Sequence, residues 1–220
     1  SIKEDGSARK VMAGPGLFTG VAVSPDNRYF LVSSLHRPYS YVQTVNSAFR
    51  VWDNAGTPLT ATTPLSTLFA PLGAPCGPRN DGDPIVLYDQ LADRWFISQF
   101  CTVADPNNHQ VIAISKTGDP TGAYFLYNFS MPNNKFNDYP HFGMWPDAYY
   151  MTDNQFNQAG TAFLGGGRFA FDRAKMLVGD PTASYIYFDS CPTNVGCIIG
   201  GELPSDLDGL SPSQLRSFLG

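Results

Sequence analysis

The passage Gly118-Asp119-Pro120-Thr121-Gly122-Ala123-Tyr124-Phe125-Leu126-Tyr127 returns as Gly179-Asp180-Pro181-Thr182-Ala183-Ser184-Tyr185-Ile186-Tyr187, an offset of 61 residues from Gly118 to Gly179. Self-similarity at this period marks a chain built from repeated supersecondary units, each too small to hide its apolar faces alone. The same order of elements precedes both copies. In the first, Ile85–Tyr88 reads as a strand, Asp89–Asp93 as a turn, Arg94–Phe100 and Gln110–Ser115 as strands, and Tyr124–Phe129 as the closing strand. In the second, the strands are His141–Trp145, Ala148–Thr152, Arg168–Phe171 and Tyr185–Phe188, with a short helical insert over Asp172–Leu177. Apolar residues on both phases of Ile85-Val86-Leu87 say that such a sheet is covered on both sides.

Four short antiparallel strands per unit, repeated in tandem, are the sequence form of a β-propeller blade. The composition agrees: charged residues are 15%, aromatics 14%, and there are 21 Gly and 18 Pro, which suits short strands and tight turns. The expected fold is all-β, a partial or incomplete propeller over residues 1–210. It divides into an irregular blade near 11–60, a Thr/Pro/Gly-rich crossing segment over 54–82, blades over 83–129 and 138–188, and the start of another at 189–210. Residues 211–220 read as a short helical tail, with Pro212 in its first turn. A closed ring needs about four to eight blades, so missing ones would come from self-association with another chain. Trp95, Tyr124, Tyr149 and Tyr185 fall at like positions in the two units and are assigned to packing between blades.

The net charge is −5, and no Lys/Arg cluster follows a phosphate backbone, so nucleic acid is not an expected partner. No apolar run nears the roughly 18 residues that a bilayer span needs. The four cysteines are Cys76, Cys101, Cys191 and Cys197. A hairpin could join the first two and a tight loop the last two; two disulfides or free buried thiols both fit. Disulfides would place the chain in an oxidising compartment. Zinc is not expected, since no CxxC pair or adjacent His completes a ligand set.

Asp83 and Asp138 precede the first strands of the two units at nearly the same distance, in loops expected to crowd one end of a central channel. Asn80, Asp83, Asp138, Tyr139 and His141 are the candidate ligand-binding residues, and Asp81, Asp83 and Asp138 the candidate ligands for Ca²⁺. Carboxylates beside an aromatic ring also suit sugars. Turn-capping by the same aspartates is the competing reading. A paired-carboxylate hydrolase is the alternative function, though no complete catalytic constellation is present and the G-x-S-x-G elbow of serine hydrolases is missing from the sequence.

Over about residues 41–210 the chain resembles a family of secreted bacterial propeller proteins. The stretches that carry this are YVQTVNSAFRVWD, NDGDPIVLYDQLADRWFISQF, ISKTGDPTGAYFLYNF, NDYPHFGMWPDAYYMT, FAFDRAKMLVGDP and LPSDLDG. The resemblance implies a propeller of sialidase or lectin shape and a secreted or periplasmic location, with no particular reaction. Residues 11–41 resemble instead a propeller blade of prolyl oligopeptidase-type peptidases. An extracellular binding or scaffold module for a glycan or protein ligand, with Ca²⁺ as its one candidate cofactor, is the expected function.

Overall fold

In the computed structural model, residues 20–23, 30–35, 40–53, 55–103 and 107–205 are described. They form three antiparallel sheets whose strands follow one another in chain order. The first sheet holds β1 (Gly20–Val23), β2 (Phe30–Leu35), β3 (Tyr41–Val45), β4 (Ala48–Trp52) and a two-residue β5 (Thr63–Pro64). The second holds β6 (Ile85–Asp89), β7 (Arg94–Cys101), β8 (His109–Ser115) and β9 (Tyr124–Ser130). The third holds β10 (Phe136–Met144), β11 (Tyr149–Phe156), β12 (Phe163–Phe171) and β13 (Tyr185–Asp189). The chain is therefore all-β, and the strands read from the two repeats all exist.

Two expectations are corrected. The 54–82 stretch is more than a crossing segment: Leu65–Phe69 forms a short helix, α1, and a 3-10 turn follows at Ala70–Leu72. Burial explains it, because Leu65 and Phe69 drop out of solvent against the second sheet. The first strand of the third sheet also starts earlier than His141, at Phe136, so Asp138 and Tyr139 belong to a strand rather than an arriving loop. A register shift between Asp138 and His141 bulges β10 there. A bulge re-aims side chains without ending the ladder, and strand rules do not locate it. The expected helix over 211–220 and part of the earliest blade, including 11–19, lie outside the described residues.

The second sheet lies between the other two. On one face Val86, Tyr88, Trp95, Ile97, Val111 and Ala113 meet Val42, Val51, Leu65 and Phe69. On the other, Phe96, Ile112, Ile114, Tyr127 and Phe129 meet Phe142, Met144, Tyr149, Met151, Phe169 and Phe171 of the third sheet. Alternate residues of one strand thus serve two cores, as the double-phase apolar pattern of β6 required. Ring pairs knit the second interface: Phe96 to Phe142 at 4.7 Å and to Tyr149 at 5.3 Å, and Phe129 to Phe171 at 4.9 Å. Each such pair adds about 0.5–1.5 kcal/mol beyond the area it buries.

The repeat is a matched turn. Asp119 Oδ1 accepts the Thr121 N–H at 2.8 Å and its hydroxyl at 2.7 Å; Asp180 Oδ1 accepts both from Thr182 at 2.8 Å. Both glycines that open it are forced, for different reasons. A Cβ on Gly118 would stand 2.3 Å from the Asp93 carboxylate, and Gly179 closes α2 (Arg173–Val178) at φ +76° with Phe125 against it. Trp95 and Tyr149, at matching positions, are both buried, as their packing role demanded.

Candidate functional site

β6 packs against β10, so the entry to the second sheet lies beside the first strand of the third. This brings Asp83, just ahead of β6, to Asp138 on β10. The Asp83 carboxylate is half-buried and accepts the backbone N–H of Tyr139; burial and the charge of Asp138 together push its pKa above the usual carboxylate value. Both Asp83 (φ +46°) and Tyr139 (φ +54°) hold left-handed backbone, which non-glycine residues adopt sparingly. For Tyr139 the bulge has a visible result. Its ring stays 46% exposed and meets the His141 ring edge-on at 4.2 Å. His141, half-buried, has its pKa lowered by desolvation, which favours the neutral imidazole near pH 7.

Asn80 and Asp81 do not join this group. The Asn80 side chain is spent on the start of α1, accepting the Ser66 N–H at 2.6 Å and donating to Ser66 Oγ at 3.0 Å. Asp81 binds Arg79 Nε at 2.6 Å and both the N–H (2.7 Å) and the hydroxyl (3.0 Å) of Thr102, contacts that hold its pKa down. Among the described residues no three His, Cys, Asp or Glu side chains are gathered as a metal ion would need. The expected trio of Asp81, Asp83 and Asp138 is thus a pair plus an aspartate committed elsewhere. A pair of carboxylates, an exposed tyrosine and a neutral histidine can accept hydroxyl protons and stack on an apolar ring face.

Both disulfides are formed. Cys76 and Cys101 have Cα atoms 5.7 Å apart and tie the loop after α1 to the end of β7; Cys191 and Cys197, 5.9 Å apart, close the loop after β13.

Two polar constellations escaped the sequence reading. Asp89, expected only to hold a hairpin, is buried and takes Arg173 Nε at 2.7 Å, Arg173 Nη2 at 3.0 Å and the Tyr149 hydroxyl at 2.8 Å. Its Oδ1 also accepts the N–H groups of Leu91 and Ala92, so no lone pair is wasted. The second constellation pairs buried Lys135 Nζ with Asp189 Oδ2 at 2.8 Å, near Asp153. Asp153 Oδ1 accepts the Gly167 N–H at 2.9 Å while Oδ2 has no partner. Desolvation, above all, pushes the Asp153 pKa up to about 7. No spacing rule finds either group, because sheet stacking brings Arg173 to Asp89, and strand pairing within the third sheet brings Lys135, Asp153 and Asp189 together.

These features define the class: an all-β chain of three stacked antiparallel sheets, carrying two disulfides, with a carboxylate pair where two sheets meet. Comparison with family models, curated proteins and solved structures gives no match to it. Among the described residues no helix is long and apolar enough to cross a membrane.

Proposed function

We propose that the three sheets are consecutive blades of a β-propeller and that the chain is an extracellular module binding glycans through Asp83, Asp138, Tyr139 and His141. The observation that carries this is the meeting of Asp83 and Asp138, from neighbouring sheets, beside an exposed aromatic ring. Sugar hydroxyls donate to paired carboxylates, and the C–H face of a pyranose stacks on a tyrosine. Antiparallel sheets of four or five strands in chain order, stacked face to face, support the propeller reading. Two disulfides support a secreted or periplasmic location. With two carboxylates gathered rather than three, Ca²⁺ is not part of the proposal.

A glycan array tests it. Tyr139→Ala should lower binding of any retained sugar about two- to tenfold, the worth of one stacking contact, and Asp83→Asn with Asp138→Asn should abolish it. An array with no bound sugar, or binding that ignores all three substitutions, would sink the reading; a protein ligand captured at the same residues would redirect it.

One observation favours a second reading. Asp138 helps keep Asp83 protonated above the normal carboxylate range, the arrangement of a general acid beside a base. Release of nitrophenol from aryl glycosides, lost in Asp83→Asn, would favour hydrolysis over binding.

A further inference from the structure

The repeat lets the outermost strands β9 and β13 be compared position by position. With Tyr124 matched to Tyr185, Phe125 and Tyr127 correspond to Ile186 and Phe188. In the second sheet both face the third. Phe125 lies against Gly179, and the Tyr127 hydroxyl donates to the Met176 carbonyl at 3.0 Å. In the third sheet the alternate residues Tyr185 and Tyr187 take the inward side, packed on the shared core. Ile186 and Phe188 therefore look away from it, 77% and 62% exposed, with the Arg168 guanidinium 5.5 Å from the Phe188 ring.

Part of that outward face is already closed. Residues 199–205 run across it: Thr152 Oγ1 donates to the Glu202 carbonyl at 2.6 Å, Arg168 pairs with the Glu202 carboxylate at 2.6 Å, and Trp145 Nε1 donates to the Ser205 carbonyl at 2.9 Å. The segment bears its own exposed apolar groups, Ile199 and Leu203, with Ile198 just before it. The exposed apolar groups on this side are thus Ile186 and Phe188 on the sheet, with Ile199 and Leu203 in the segment that crosses it.

We propose that this outward face of the third sheet is a docking surface for a sheet of a second copy of this chain. In both places where the equivalent face is covered, the cover is another antiparallel sheet of this chain: the second sheet on the first, and the third on the second. Those two covers span Ile85–Ser130 and Phe136–Asp189. A second copy brings ready-made sheets. The inference rests on the stacking of the three sheets and not on the glycan site, so the two fail separately.

Light scattering and sedimentation over a concentration series test it, on the whole chain and on Ile186→Asp/Phe188→Asp. The wild type should dimerise, and the double variant should bind itself at least about tenfold more weakly, as loss of central apolar anchors does. Its circular dichroism should match the wild type, since both side chains already meet water. Should the aspartates perturb folding, Ile186→Lys alone gives the same comparison. A wild type that stays monomeric throughout, or a dimer indifferent to these substitutions, overturns the proposal. So does a monomer that dimerises only once 206–220 is removed, because the tail would then be the cover.

Discussion

The two faces of the second sheet are held by different means. Towards the first sheet the contact is compact and aliphatic, Val42, Val51, Val86, Ile97 and Val111 around Trp95, with Cys76–Cys101 anchoring the α1 loop beside it. Towards the third sheet it is aromatic and Met-rich, with Asp89–Arg173 buried within it and Lys135–Asp189 near its edge. The covalent tie narrows the unfolded ensemble and tolerates a plain apolar core. The ionic ties demand registration, because a buried charge that loses its partner is heavily penalised. One interface is fastened; the other is keyed.

The sharpest way to break this contrast is Arg173→Met. It leaves the Asp89 carboxylate buried with no cation, and should cost about 3–5 kcal/mol, read as a lowered denaturation midpoint. Replacing Asp89 and Arg173 together by apolar residues should recover much of that, as a keyed contact predicts and a merely attractive one does not. Next in size, Cys76→Ser/Cys101→Ser should cost about 2–4 kcal/mol, and reducing agent should reproduce the loss in the wild type only if the bond is accessible.

Smaller, and specific to the keyed side, is the response to pH. Asp153 ionises near 3.8 when exposed but at about 7 when folded. The folded chain therefore holds its proton more tightly, and stability should fall as pH rises from about 4 to 7, then level off. Asp153→Asn should flatten that slope and raise stability at pH 8 relative to the wild type, which equilibrium denaturation at two pH values measures. The least disruptive change is Asp138→Asn, which should return the Asp83 pKa towards its ordinary value with little effect on stability; carboxyl chemical shifts followed through a titration would show it.

The strands of the second and third sheets were legible because their apolar patterns and turn residues are local. Asp119-Pro120-Thr121 and Asp180-Pro181-Thr182 announce their turns through a side chain that bonds two residues on. The meeting of Asp83 with Asp138 was legible for a related reason, since equal spacing in two repeats implies equal height in two stacked sheets. What stayed hidden depends on contacts that no local pattern encodes. Nothing near Asp89 points to an arginine on α2, and nothing near Asn80 points to Ser66. The β10 bulge escaped because Asn137-Asp138-Tyr139-Pro140 reads as a loop by composition, Pro being unfavourable in a ladder. In the fold the chain keeps pairing on either side of it, from Asp138 with Asn154 to His141 with Thr152.

Because among the described residues no strand crosses from one sheet to another, a ribosome releases each sheet whole before the next begins to emerge. Early folding can therefore proceed through neighbouring hairpins, which close quickly. Until the third sheet arrives, the nascent second one holds Phe96, Ile112 and Phe129 open to the cytosol or to a translocation channel. Slowing translation near residue 130 should lengthen that interval.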